Sequence, residues 1–223
     1  MADVNLQKSP VPVADLSATG TPSGTTFLRG DGAWATPDGG GGGSFWTPGI
    51  DESGASFDNF TGTSGTWASD GTIIQQTATG TTSYRAVHDE PTGLVLQVFQ
   101  SDIRVPSVTS DMRVGLTIGT GPAGGNGGLG FTIRQPSTGT FNLNIGRDGV
   151  TNTVIGNITF AENTWYTFLA LACSDTLEVY QDGTLIGVAS PAATGDANRC
   201  ALFAYAVAAD FRNVKSWTKS LPA

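Results

Sequence analysis

The amino-acid sequence predicts an all-β protein, an antiparallel sandwich of two sheets preceded by an extended N-terminal arm. Three observations carry that expectation. Short apolar runs rich in Val, Ile, Leu, Phe and Tyr recur through residues 45–223, separated by Gly, Asn, Asp and Ser, which is the pattern of strands joined by turns. No window sustains apolar residues at the 3.6-residue helical spacing. Charged residues make up 13% of the 223 residues against about 25% in an ordinary chain, which excludes a charged helical bundle over most of the length.

The strands read in order as GTIIQQTA, GLVLQVFQSDIRV, DMRVGLTI, LGFTIRQ, TFNLNIGR, NTVIGNITF, TWYTFLALAC, DTLEVYQ, GTLIGVAS, RCALFAYAV and DFRNVKSW. Asp-Gly pairs at 70–71, 148–149 and 182–183, and Ser137-Thr138-Gly139, are the turn chemistry between them. Alternation is clearest in DTLEVYQDGTLIGVAS. Leu177 and Val179 share one face, Glu178 and Tyr180 take the other, and Asp182-Gly183 turns the chain toward Leu185. Trp165, Leu169, Leu171, Leu177, Val179 and Leu202 are the expected core between two facing sheets.

Gly39 to Gly43 form a five-glycine run that no strand interior tolerates, because glycine loses the most backbone entropy on ordering. Residues 39–44 are therefore a linker, dividing an arm at 1–38 from a head at 45–223. The arm holds Pro10, Pro12, Pro22 and Pro37 and few large apolar groups, chiefly Leu6, Leu16, Phe27, Leu28 and Trp34. That is too little to bury a core alone, so ordering of the arm requires packing against copies of itself.

Net charge is −8, from 11 Lys+Arg and 19 Asp+Glu. A field of that sign repels phosphate backbones and anionic lipid, so no nucleic-acid partner is expected. No stretch approaches the roughly 18 to 20 apolar residues of a membrane span, and MADVNLQKSP has no apolar signal region, so neither membrane insertion nor export is expected. Cys173 and Cys200 lie in apolar runs without C-x-x-C spacing, which favours buried thiols over a disulfide.

The series NTWYTFLALACSDTLEVYQDGTLIGVAS followed by CALFAYAVAADFRNVKSW resembles the closing half of concanavalin A-like, laminin-G-like jelly rolls. Those contain a Trp-Tyr strand, an x-V-Y-x-D-G-x-L hairpin and a final D-F-x-N-V strand in this order. FDNFTGTSGTWASDGTIIQQ is similar to the opening of such a domain. In the arm, DLSATGTPSGTTFLRGDGAWATP resembles a segment of tailed-bacteriophage tail-fibre proteins built around T-F-L-R-G-D-G-x-W. The two resemblances imply a virion tail-fibre or tail-tip protein assembled in the host cytoplasm. They imply a homotrimer whose arm joins other phage tail proteins and whose lectin-like head binds a host surface polysaccharide or lipopolysaccharide.

Catalysis fails an inventory. Retaining glycosidases of this fold need two carboxylates about 5 to 5.5 Å apart, commonly two or four residues apart on one strand. Glu52, Glu90, Glu162 and Glu178 are scattered, and adjacent Asp89 and Glu90 would point to opposite faces. The lone His88 reads as a turn histidine in VHDEP, without triad or zinc partners. Gly119-Thr-Gly121-Pro-Ala-Gly124 matches G-x-G-x-x-G, but GNGGLGF follows instead of a helix, so no phosphate cradle forms. Arg29-Gly30-Asp31 belongs to the fibre-like segment, not to integrin adhesion. A carbohydrate-binding protein rather than an enzyme is the expectation, with a polysaccharide-degrading tail enzyme or a ligand-free spacer or head-decoration module as the alternatives.

Sugar recognition uses aromatic faces with amide, carboxylate and guanidinium partners. Trp46, Trp67, Tyr84, Tyr180 and Tyr205 are the aromatic candidates. Loops vary without unfolding a scaffold, which directs attention to the small-residue loop at 119–128 and to 84–90. Tyr84, Arg85, Asp89 and Asn126 are the predicted ligand contacts, with Tyr205 and Asp210 beside the closing turn. No cofactor is expected; Asp210 has a second reading as a structural calcium ligand with Asp51 or Asp58, although no D-x-D-x-D-G loop accompanies it.

Overall fold

The structure is a computed structural model. It describes residues 27–28, 34–35 and 47–218 apart from 53–56, 63, 89–95, 121–127, 148–150, 174–175 and 191–198. The chain divides into two compact units, Met1–Phe45 and Trp46–Ala223. The glycine run, Trp46, Asp89 and Asn126 lie outside the described residues.

In the first unit β1 (Phe27–Leu28) pairs antiparallel with β2 (Trp34–Ala35), Leu28 opposite Trp34. In sequence the two strands lie on either side of the R-G-D-G run of the fibre-like motif.

The second unit is all β among its described residues. Its first strands are β3 (Thr47–Glu52), β4 (Phe60–Gly62), β5 (Trp67–Ser69), β6 (Ile74–Gln76) and β7 (Ser83–His88). The long ones follow: β8 (Leu96–Arg104), β9 (Arg113–Thr120), β10 (Leu129–Ser137), β11 (Thr140–Arg147) and β12 (Thr151–Asn157). The last are β13 (Tyr166–Cys173), β14 (Thr176–Gln181), β15 (Thr184–Ala189), β16 (Arg199–Tyr205) and β17 (Ala209–Thr218). One seven-stranded sheet runs β12-β11-β10-β9-β16-β7-β4. The other, eight-stranded, runs β15-β14-β13-β8-β17-β6-β5, with β3 paired to β17 beside it. The expected sandwich is the observed one.

Alternation decides which residues lie between the sheets. On β10 the odd positions Leu129, Phe131 and Ile133 are buried, while Thr132 and Arg134 point out. β14 buries Leu177, Val179 and Gln181 on the same principle. Phe99, Phe131, Phe168, Phe211, Ile103, Leu116, Leu143 and Leu177 form the centre, each essentially without exposure. Phe131 meets Phe168 at a 5.4 Å centroid distance, and Phe160 meets Tyr166 at 5.1 Å, separations at which aromatic pairs attract. The Asp-Gly turn at 182–183 has φ of 49° and 79°. Both residues are left-handed, as a type I′ hairpin requires.

Three of the expected core residues lie elsewhere. Leu177, Val179 and Leu202 are fully buried, but Leu169 and Leu171 face outward, because Phe168, Ala170 and Ala172 occupy the inward parity of β13. Trp165 precedes β13 and lies against two guanidiniums, Arg104 at 4.8 Å and Arg212 at 4.2 Å from its ring centroid.

His88 corrects a second expectation. It ends a strand, buried, rather than sitting in a turn. Its Nε2 lies 3.4 Å from the Glu52 carboxylate, and its ring meets Phe60 edge-on at 4.9 Å. Since Glu52 is on β3 and His88 on β7, the pair ties one sheet to the other.

Candidate functional site

The outer face of the eight-stranded sheet carries a cavity, a trough of about 560 Å³ lined by Val98, Gln100, Thr167, Leu169, Leu171, Tyr180, Gly183 and Trp217. Strand register explains why these residues meet. Leu171 stands opposite Glu178 on one side and Val98 on the other, and Val98 stands opposite Trp217. One step along, Leu169 lies between Tyr180 and Gln100, with Lys215 beyond. A third row runs Thr167, Asp102, Arg212. The trough is therefore a ladder of side chains across four adjacent strands, apolar along its floor and polar at one end.

Trp217 reaches this face because β17 bulges. Register shifts by one residue between Arg212 and Lys215, and Asn213 there adopts φ of 51°. An unbroken alternation from buried Phe211 would turn position 217 inward. The extra residue instead buries Val214 and Ser216 and leaves Lys215 and Trp217 outside. The Ser216 hydroxyl accepts from the Ile50 amide at 2.9 Å, holding β3 to this part of β17.

Tyr180 supplies the second ring. Its hydroxyl donates to Glu178 Oε2 at 2.6 Å, and that bond, with lesser contributions from burial and from the negative carboxylate, holds the phenol above its ordinary ionisation range. The ring is thus a neutral, oriented plate at working pH.

The polar end is a closed network. Asp102 accepts from the Thr167 hydroxyl at 2.7 Å, from Asn213 Nδ2 at 2.8 Å and from Arg212 Nε at 3.1 Å. Asp210 accepts from Arg104 Nε at 2.9 Å and Nη2 at 2.6 Å. The carboxylates are buried and the guanidiniums are more open. The face therefore presents donors outward over neutralising acids beneath. Donors fixed this way suit hydroxyl and other oxygen acceptors.

The six predicted contacts distribute differently. Tyr84 is a correction: it lies on β7, not on a rim loop, is 6% exposed, and its hydroxyl donates to the Gly80 carbonyl at 2.9 Å. Its ring belongs to the core. Asp210 is also corrected, 4% exposed and held by Arg104. That engagement takes it from both the rim and the calcium reading with Asp51 or Asp58, and no group of three metal-binding side chains occurs among the described residues. Arg85 and Tyr205 are brought together on the outer face of the seven-stranded sheet, where Arg85 lies over Phe203 at 5.5 Å and Arg113 over Tyr205 at 4.9 Å. Asp89 and Asn126 lie outside the described residues. Trp67 is structural, stacked on Phe57 at 6.0 Å and donating Nε1 to the Ser64 carbonyl at 2.8 Å. Among the described aromatic candidates, Tyr180 is the one that enters the trough; Trp217, Leu169 and Leu171 are lining residues that sequence reasoning missed.

The head has the sandwich fold of carbohydrate-binding modules. A carbohydrate-binding module of type CBM66 from Bacillus subtilis superposes with a TM-score of 0.57 at 18% identity over 72% of this chain and 96% of its own. The CBM2 module of the evolved Dit protein of Lactobacillus casei BL23 phage J-1 gives 0.52 at 11% identity, covering 80% of this chain and 98% of its own. An apo Crh5 transglycosylase gives 0.54 at 9% identity, covering 81% and 86%. No protein-family model matches the chain. No curated protein matches it in sequence. At these identities the likeness shows the fold alone.

Proposed function

We propose that this chain is a receptor-binding component of a tailed-phage virion whose head binds a glycan in the trough. The observation that carries the binding reading is the pair of rings, Trp217 and Tyr180, on the two strands that flank a Val98–Leu169–Leu171 floor, with fixed donors at one end. A pyranose has one apolar face and a hydroxyl rim. Ring stacking takes the first and Gln100, Thr167 and the guanidiniums take the second. The acids on this face are committed: Asp102 to three donors, Asp210 to Arg104 and Glu178 to Tyr180. This arrangement fits retention of a glycan rather than its cleavage, since the described lining of the trough holds no carboxylate and these three acids are engaged.

The virion reading is supported by the T-F-L-R-G-D-G-A-W segment, by the β1–β2 pairing within it, and by the phage origin of one module with this fold. In this reading the arm joins other tail proteins, three chains share the axis where Phe27, Leu28 and Trp34 meet, and the ligand is a polysaccharide or lipopolysaccharide of the host surface. Three weak sites on one particle raise avidity through effective concentration.

The test is incubation of the purified full chain with host surface polysaccharide. Retention without new reducing ends, lost on Trp217→Ala, is the expected result. New reducing ends would make the chain an enzyme, and failure to bind any host surface would make it a spacer.

A further inference from the structure

The opposite sheet carries a second arrangement that the trough does not use. On its outer face Arg113 of β9 and Arg134 of β10 are directly opposed cross-strand partners. Like charges in that position are destabilising. A single carboxylate serves both: Asp111 Oδ1 accepts from Arg134 Nε at 2.7 Å, and Asp111 Oδ2 lies 3.6 Å from Arg113 Nη2. Asp111 holds this place from a left-handed backbone, φ 60°.

Arg113 is the odd member. It makes that long ion pair and lies over the Tyr205 ring at 4.9 Å, and among the described residues its guanidinium makes no hydrogen bond. Its buried Nε is without a partner, as are the Thr132 hydroxyl and Asn142 Oδ1 on the adjoining strands. In register, Tyr205, Arg113, Arg134 and Asn142 form one row across β16, β9, β10 and β11. Arg113 and Arg134 are 31% and 39% exposed at the side chain, so their outer edges are open to a ligand. Arg85 on Phe203 adds a cation one row away.

A planar guanidinium with unused N–H groups, beside a second that shares its only counter-ion, is built for an oxyanion that bridges both. We infer that the Arg113–Arg134 row is a second saccharide-binding surface, selective for a glycan that carries an anionic substituent, carboxylate or phosphate. The inference does not rest on the trough. A chain of net charge −8 repels polyanions at long range, so attraction must come from this row within the roughly 8 to 10 Å over which salt leaves charges visible to each other.

Affinity electrophoresis of the full chain, in gels containing polygalacturonate, phosphomannan or neutral dextran, tests it. Retardation by one or both anionic polymers, weakening as salt rises, is expected, and the polymer that retards identifies carboxylate or phosphate. The Arg113→Gln/Arg134→Gln double variant should bind about tenfold more weakly, equivalent to ~1.4 kcal/mol. Equal retardation of wild type and double variant overturns the inference. So does retardation by dextran alone, by none of the three, or by a single-stranded oligonucleotide in their place. Circular dichroism checks the fold of the double variant. Should it unfold, Arg134→Gln alone and the salt series on the wild type decide, and salt-independent retardation then refutes the anion site.

Discussion

At the scale of the residue, the two faces of β13 show how far a side chain's role departs from its hydrophobicity. Leu169 and Leu177 are the same residue type in neighbouring strands, yet Leu177 is sealed between the sheets and Leu169 lines the trough. Leu177→Ala should therefore cost about 2 to 5 kcal/mol of stability in chemical denaturation, because it leaves a cavity, and Leu169→Ala should cost well under half of that. Trp217→Ala should lower glycan affinity about tenfold, the order of ~1.4 kcal/mol, with little change in melting temperature; titration calorimetry on one glycan compares the two proteins. The run YTFLALAC made this assignment hard to read in sequence. Phe168, Ala170 and Ala172 carry one side and Leu169 and Leu171 the other, so apolar content alone does not choose the inward parity.

The element scale holds most of what was legible and the reasons for what was not. Eleven strands announced themselves by β-branched and aromatic runs, and the Asp182-Gly183 hairpin by its turn residues. β3, β4 and β5 did not: TPGIDE, FTG and WAS are short, and they rely on partners distant in sequence such as β17 and β7. SYRAVH reads in sequence as part of a polar rim segment at 84–90, although Tyr84, Ala86 and His88 all point inward. Trp217 escaped notice since a bulge reverses parity and leaves no reliable mark in the sequence beyond Asn213. The β5–β6 turn offers a pH test. Asp70 accepts from the Thr72 hydroxyl at 2.7 Å and from the Ile73 and Thr72 amides at 2.9 and 2.8 Å, which hold its carboxyl below the ordinary 3.8. A carboxyl with a depressed folded-state pKa stabilises above its unfolded value, and the contribution fades as pH falls through the folded one. Asp70→Ala should thus lower the melting temperature at pH 7 and match the wild type well below pH 3.8. Gly115 is a steric test on β9: a Cβ there would stand 1.9 Å from the Phe131 carbonyl oxygen. Gly115→Ala should push β9 from β10 and destabilise by about 1 to 3 kcal/mol, measured by urea unfolding.

For the whole molecule, the division at Phe45/Trp46 makes assembly and binding separable. If the arm holds the trimer proposed above, deleting residues 1–38 should reduce the mass seen in light scattering to that of a monomer and leave the far-ultraviolet spectrum of the head intact; a trimer mass unchanged by the deletion would refute the role given to the arm. The last strand then acquires a further meaning. β3 opens the head and β17 closes it, and they pair antiparallel, Thr47 directly against Thr218. Entry and exit of the domain are side by side. A domain so threaded can be spliced into a host chain as a pendant loop, because both of its attachments leave from one pair of strands. A head permuted by joining 218 to 47 through a short linker and opened in the exposed Thr138-Gly139 turn of the other sheet should consequently fold and still bind its glycan.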